Sequence, residues 1–162
     1  GKTTNTQDAD GEVEEEKEVP DLSREELEAV FEKFHGDFYQ IPPMVSAIKK
    51  DGVPLYKLAR QGKEVKRDPR FVHVYRHRID RIELPEIDFT VKCTKGFYVR
   101  TYAHDIGQEL GCGAFLKSLR RTRSGRFDLE RSVTFEELKH GKREDIAEKL
   151  LSLPEVSKIR GA

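Results

Sequence analysis

The clearest hydrophobic pattern in the chain predicts an amphipathic helix over residues 23–35. Its apolar positions recur every three or four residues, as one face of a helix requires. They are Leu27, Val30, Phe31 and Phe34. Ser23 and Glu26 have the spacing of a capping box at its start, and Gly36 follows its end.

A second pattern, alternation of apolar and polar positions, predicts strands in the middle of the chain. Residues 71–82 alternate in this way, and residues 88–94 and 97–101 read as a hairpin around Lys95-Gly96. Together with the helix, these strands predict an α+β fold: a mixed, mostly antiparallel sheet with packed helices.

Between the helix and the strands, residues 41–70 read as an excursion from the core. A turn is expected at Asp51-Gly52, and a short helix is expected over residues 54–61, ending at Gly62. Residues 1–21 are polar and acidic, and their pattern alone indicates a loop or disorder.

The last third of the chain reads as short elements. In order, the patterns predict a helix over 103–110, a helix over 115–119, a bent strand over 123–129, a helix after the capping box of Thr134 and Glu137, and a helix over 145–151 that ends before Pro154. Residues 139–162 are expected to form a helical tail.

The formal net charge is zero, yet the charges are unevenly distributed along the 162 residues. Residues 10–32 are strongly acidic, whereas residues 49–81 are strongly basic. A nucleic-acid contact would lie in this basic stretch, although a basic run by itself is more often only a solvated face.

Metal, redox and membrane roles find little support in the sequence. The two cysteines and five histidines show no metal-ligand spacing, so we expect no metal. No apolar run reaches membrane-spanning length and no signal peptide opens the chain, so we expect a cytoplasmic protein with no membrane partner.

Three short runs carry the most chemical information: KGFYVRT at 95–101, GCGA at 111–114 and LRRT at 119–122. On a strand, Tyr98 and Arg100 point to the same side, because side chains alternate between faces. An aromatic hydroxyl beside a guanidinium suits an anionic substrate that carries a ring.

These runs, in this order and spacing, resemble the bacterial tRNA pseudouridine synthases of the TruB type. The runs GKTTNTQDADGEV, IPPMVSAIKK and LYKLARQGKEVKR, at 1–13, 41–50 and 55–67, are also similar to that family. The resemblance implies the pseudouridine synthase catalytic fold, with the margin of a strand around residues 11–13. It also implies cofactor-free conversion of the T-loop uridine of tRNA (position 55) to pseudouridine.

The resemblance also implies roles for individual residues. Tyr98 would stack near the base and accept a proton, Arg100 would pair with a nucleophilic aspartate, and Leu119 would pack on the flipped uracil. Residues 41–70 would form a mobile thumb on the tRNA T-arm. The expected RNA contacts are Lys49, Lys50, Tyr56, Arg60, Lys63, Arg67, Lys95, Arg120 and Arg121.

The family's nucleophilic aspartate, which lies in a glycine-rich segment, has no counterpart in these residues. We therefore expect residues 1–162 to be the C-terminal portion of the catalytic domain, monomeric, inactive alone and partnered by an N-terminal half. Asp8 and Asp10 are expected to make turns, leaving Arg100 without its carboxylate partner.

Two other classes remain open at this point. One is a non-catalytic RNA-binding module, which shares the RNA affinity but lacks turnover. The other is a structural assembly protein, which the basic stretch argues against.

Overall fold

The computed structural model describes residues 1–130 and 132–160, which divide into two compact units, residues 1–118 and 119–162. The elements of the first unit are β1 (Lys2–Thr4), β2 (Val13–Glu16), α1 (Arg24–Lys33), β3 (Gly36–Gln40), β4 (Lys49–Lys50), β5 (Val53–Pro54), α2 (Leu55–Ala59), β6 (Arg70–Glu83), β7 (Glu86–Cys93) and α3 (Val99–Glu109). Those of the second are β8 (Arg123–Ser124), β9 (Phe127–Asp128), α4 (Phe135–His140), α5 (Arg143–Lys149) and α6 (Leu153–Arg160).

The core of the first unit lies between a three-stranded sheet and two helices. The sheet has the order β3-β6-β7 and is antiparallel throughout, with β6 in the centre. Helices α1 and α3 pack together, and their apolar faces join that of β6. The buried residues of this core cluster are Leu27, Phe31, Val74, Ile79, Tyr102 and Ile106. The predicted α+β class with a mostly antiparallel sheet is therefore confirmed.

Helix α1 forms as its sequence pattern predicts. Ser23 Oγ accepts from the Glu26 N–H at 3.1 Å, and the Glu26 carboxylate accepts from the Ser23 N–H at 2.8 Å. The hydrogen bond from the Ser23 backbone lowers the pKa of Glu26, because it favours the charged carboxylate. The side chains of Leu27 and Phe31 are buried, so this face of the helix packs in the core.

The excursion at residues 41–70 also has the expected elements. Strands β4 and β5 form a hairpin through Asp51 and Gly52, whose φ angles of 51° and 80° are those of a tight hairpin turn. Helix α2 follows directly. Arg67 Nη1 donates to the Pro42 carbonyl at 3.2 Å, and this bond joins the two ends of the excursion.

The predicted hairpin around Lys95-Gly96 is wrong. The long hairpin is β6 with β7, whose last register pair is Glu83 with Glu86. After Gly96 the chain enters α3 at Val99, so Tyr98 and Arg100 do not share a strand face. The physical reason is tertiary burial: positions 101–103, 106 and 107 are buried on one side of a helix that extends further toward the N-terminus than expected.

Two expectations near the loops also need correction. The predicted helix over 115–119 is absent from the described residues, because Leu116 instead pairs with the first loop through a parallel bridge to Asp8. The acidic lead-in was expected to be a loop with a strand margin, yet β1 and β2 pair there as an antiparallel hairpin.

Among its described residues, the second unit has one small hairpin and three short helices. The bent strand expected over 123–129 is the hairpin β8–β9, and the Thr134–Glu137 capping box is confirmed at α4. Helix α5 lies close to its predicted range. Pro154 does not end the helical region; it lies in the first turn of α6, where proline is tolerated. Residues 161 and 162 of the expected tail lie outside the described residues. None of the helices within residues 1–130 and 132–160 is long and apolar enough to span a bilayer.

Candidate active site

Arg100 is fixed at the start of α3 by two contacts from distant parts of the chain. Its Nη1 lies 2.8 Å from Asp8 Oδ2, and its Nη2 donates to the Val45 carbonyl at 2.5 Å. Both charged side chains are mostly buried, with 22% and 24% of their surface exposed. The expectation that Arg100 has no carboxylate partner in this chain is therefore wrong.

Asp8 makes the expected turn contacts in addition to this ion pair. Its Oδ1 accepts from Thr6 Oγ1 at 2.6 Å and from the Asp10 N–H at 3.3 Å. Its carbonyl accepts from Thr4 Oγ1 at 2.7 Å. Because both carboxylate oxygens accept hydrogen bonds, the loop holds the carboxylate in one orientation toward Arg100.

The first loop is docked on α3 and on the segment that follows it. Thr101 Oγ1 donates to Gln7 Oε1 at 2.7 Å, and the Gln7 carbonyl accepts from the Leu116 N–H at 3.0 Å. Gly113 has a φ of 74°, and a Cβ there would lie 2.7 Å from Thr3 Cγ2. The GCGA run therefore permits the close approach that places Asp8 beside Arg100.

Tyr98 is positioned through its backbone by a buried amide. The Tyr98 N–H donates to Gln40 Oε1 at 2.8 Å, and Gln40 Nε2 donates to the Tyr98 carbonyl at 3.1 Å. Gln40 is 2% exposed at the end of β3. This pair of bonds fixes the point at which the chain turns from the loop into α3.

An open cleft of about 720 Å³ lies beside Arg100. Its walls come from the first loop, from residues 44–47 and from α2 with its end, and they carry Asn5, Thr6, Tyr56, Arg60 and Arg100. The Arg60 guanidinium carbon lies 5.7 Å from the centroid of the Tyr56 ring, a cation–π distance. Two cations, an aromatic ring and polar side chains can hold an anionic group together with a planar base, on the side of the cleft away from the carboxylate of Asp10, which also lines it.

The structure brings together only some of the residues expected from the sequence. Tyr56, Arg60 and Arg100 line the cleft. Tyr98 is half-buried nearby in sequence but is not among the cleft walls. The exposed lysines of the expected RNA surface are Lys49, Lys50, Lys63 and Lys95.

Two of the expected RNA contacts are engaged within the protein. Arg67 binds the Pro42 carbonyl and lies 3.2 Å from Glu64, and Lys50 Nζ donates to the Lys66 carbonyl at 2.8 Å. In the second unit, Leu119 is 61% exposed, and Arg120 and Arg121 are exposed as well.

Sequence reasoning missed three contributors to this site: Asp8 as the partner of Arg100, Gln40 as the clamp on Tyr98, and the Val45 carbonyl. Asp8 lies in the first run that resembles the family, and Gln40 directly precedes the second. Their positions in or beside these runs were the sequence signal that could have marked them as site residues.

Solved structures with a similar fold agree with the expected catalytic fold. A Cbf5-Nop10-Gar1 complex matches 87% of this chain with a TM-score of 0.66 and 27% identity, over 40% of the matched chain. An H/ACA RNP bound to a substrate RNA containing 2'-deoxyuridine matches 74% of this chain with a TM-score of 0.53 and 27% identity, over 30% of the matched chain.

Curated relatives are closer in sequence. The tRNA pseudouridine synthase B of Opitutus terrae is 50% identical over 158 residues, which cover 98% of this chain and 61% of the relative. That of Stutzerimonas stutzeri is 51% identical over 143 residues, which cover 87% of this chain and 47% of the relative. The chain thus spans about half of the length of these relatives.

Family models cover nearly all of the sequence. Residues 1–99 match the N-terminal domain model of the TruB family pseudouridylate synthases, and residues 100–155 match the C-terminal domain model of tRNA pseudouridylate synthase B. On this match, the chain belongs to the TruB family of pseudouridylate synthases.

Proposed function

We propose that this chain supplies the substrate-handling part of a tRNA pseudouridine synthase that converts the T-loop uridine to pseudouridine without a cofactor. The observation that carries the proposal is the position of Arg100. It lies on the wall of a polar cleft and is held there by contacts within the chain, to Asp8 and to the Val45 carbonyl.

Arg100 has capacity for a second carboxylate. A guanidinium has five N–H donors, and Asp8 and Val45 each accept one hydrogen bond. A nucleophilic aspartate supplied by residues outside this sequence would bind the remaining donors and be held ionised, because a neighbouring cation favours the charged form. Asp8 is then a positioning residue that acts through Arg100.

Tyr98 and Leu119 are the residues proposed to contact the target base. An enzyme that acts on a base within folded RNA must extrude the base and surround it with aromatic and apolar groups. Tyr98, held by Gln40 at the start of α3, would contact the base and accept a proton, and the exposed Leu119 would pack on the uracil.

The basic excursion is proposed as the thumb on the T-arm. Its residues 44–47 and the end of α2 form part of the cleft wall, and the excursion presents the exposed Lys49, Lys50, Arg60 and Lys63. Lys95, Arg67, Arg120 and Arg121 are proposed as further phosphate contacts. Within this scheme, residues 1–21 are an acidic lead-in and residues 139–162 a helical tail of a monomeric, cytoplasmic enzyme.

A fusion protein tests the proposal directly. The segment of the Opitutus terrae relative that precedes its match to this chain would be joined to residues 1–162, and pseudouridine formation would be assayed with unmodified tRNA. We expect multiple turnovers from the folded fusion and none from the 162-residue chain alone. Tyr98→Phe should abolish turnover in the fusion while leaving tRNA binding intact. If a folded fusion binds tRNA without turnover, the RNA-binding module is the correct assignment instead.

A further inference from the structure

A cluster of three metal-ligating side chains lies on the helix side of the sheet, apart from the cleft. Glu32 is in the last turn of α1, His35 follows that helix, and His77 lies on β6. One ligand atom from each residue lies within 4.8 Å of the other two.

The environment of His77 sets this cluster apart from an ordinary surface group. Its side chain is only 13% exposed, and its Nδ1 is buried without a hydrogen-bond partner among the described residues. Its Nε2 lies 3.8 Å from Glu32 Oε2, which is too long for a hydrogen bond. Nε2 is thus the nitrogen that faces the carboxylate, and with no hydrogen bond among the described residues it is available to an ion.

The charges around the cluster favour a cation. The cluster lies at the C-terminal end of α1, where the carbonyl groups give the helix a partial negative charge. Glu32 adds a full negative charge. The adjacent cation, Lys33, is paired with Glu109 at 2.6 Å on α3.

We propose that Glu32, His35 and His77 form a binding site for a divalent transition-metal ion of the zinc class. Two imidazoles and a carboxylate are ligands that Zn²⁺ accepts in proteins, with solvent in the remaining position. In a tetrahedral site with bonds of about 2.0–2.1 Å, ligand atoms lie about 3.3–3.5 Å apart. The exposed Glu32 and His35 side chains can close the remaining distance by rotation, whereas His77 stays fixed on β6.

The bound ion would join the end of α1 to the central strand. Its role is structural, because the ligands come from α1, its C-terminal end and β6, and none of them lines the cleft beside Arg100. The sequence alone does not show the site, because His77 comes from a distant element and the histidine spacing is not that of a metal motif.

Zinc titration of the metal-free full chain by calorimetry tests the proposal. We expect one Zn²⁺ per chain, and an increase in melting temperature when zinc is present in excess. His35→Ala and Glu32→Gln alter exposed side chains and should preserve the fold, as circular dichroism would check. Each should weaken zinc binding at least tenfold and remove the increase in melting temperature.

The matched control is His140→Ala. His140 and Glu136 also form an exposed histidine–glutamate pair, with Nε2 and Oε2 3.3 Å apart, but without a third ligand among the described residues. This variant should bind zinc as the unaltered chain does. Equal losses in His140→Ala and His35→Ala, or no stoichiometric binding by the unaltered chain, would overturn the proposal. So would a thiolate charge-transfer band in the Co²⁺ spectrum, which would assign the ion to a cysteine.

Discussion

Arg100 and Asp8 form an ion pair between residues 92 positions apart in sequence, with Nη1 2.8 Å from Oδ2. The pair joins the first loop to the start of α3 and thereby brings together two of the runs that characterise the family. A cation that is fixed before substrate arrives needs no reorganisation when charge develops near it, which is the basis of electrostatic catalysis. The pair therefore links the stability of the first loop to the geometry of the cleft.

The Asp8–Arg100 pair should contribute measurably to stability. Asp8→Asn and Arg100→Met should each lower the free energy of unfolding by about 1–3 kcal/mol, because each leaves a mostly buried charge without its partner. Urea unfolding of the single and double variants should give a coupling energy of about 1–2 kcal/mol.

The exposed pair Lys33–Glu109 is the control for this cycle. Its atoms are close, at 2.6 Å, but both side chains are largely solvated. Its coupling should therefore be below about 1 kcal/mol. Equal coupling in the two pairs would show that the burial of Asp8 and Arg100 adds nothing.

The two hydrogen bonds between the Gln40 amide and the Tyr98 backbone, here called the Gln40 clamp, should stabilise the fold about as much as the Asp8–Arg100 ion pair does. Gln40→Leu keeps the side-chain volume but leaves the Tyr98 N–H without its partner, while the Tyr98 carbonyl keeps the hydrogen bond that it accepts from the Tyr102 N–H at 3.0 Å. We expect a loss of about 1–3 kcal/mol in the free energy of unfolding, since one unsatisfied buried group costs about 1–3 kcal/mol. Urea unfolding measures it, and Gln61→Leu at an exposed position is the control. A loss of similar size in both variants would contradict the role of the clamp.

The sequence predicts the elements whose signals are local. Helix α1 has a capping box, an apolar face and a terminal glycine, so that every local signal agrees. Strand β6 is long and alternating, and its pattern predicts both ends to within one residue. The prediction for residues 97–101 is wrong because a five-residue alternation is too short to distinguish a strand from the start of a helix, whose burial depends on Tyr102 and Ile106.

The parts of the site that could not be predicted depend on contacts between distant segments. The motif around Arg100 indicates its importance, but its partner Asp8 lies in another loop that reads as an ordinary turn. The same holds for Gln40 with Tyr98 and for His35 with His77. Local patterns specify which elements form, whereas the packing of those elements specifies which side chains meet.

In the second unit, the stabilising contribution of the Glu137 carboxylate should depend on pH in the acid range. The hydrogen bond from Lys149 Nζ, together with those from Thr134, lowers the pKa of Glu137 from 4.5 to about 2. Because the pKa is lower in the folded state, the stabilisation is fully present above pH 4.5 and is lost as the pH falls toward 2. A carboxylate titration by NMR measures this pKa directly. Glu136, which caps no helix, is the comparison residue, and an ordinary pKa for Glu137 would contradict the contact with Lys149.

RNA binding should depend on the cations of the excursion more than on cations elsewhere. Lysines and arginines that neutralise phosphates release counterions, so affinity falls with salt. Replacing Lys49, Lys50 and Arg60 by Ala should flatten the slope of log affinity against log salt by about 0.7 for each phosphate that is no longer neutralised.

The control for this prediction replaces Lys2, Lys17 and Lys33, each already paired with a glutamate. That triple variant removes the same formal charge, so it separates a local interaction with phosphate from a general change in net charge. A filter-binding series with tRNA from low to physiological salt measures both slopes. If the two variants change the slope equally, the excursion is a solvated surface and the thumb assignment fails.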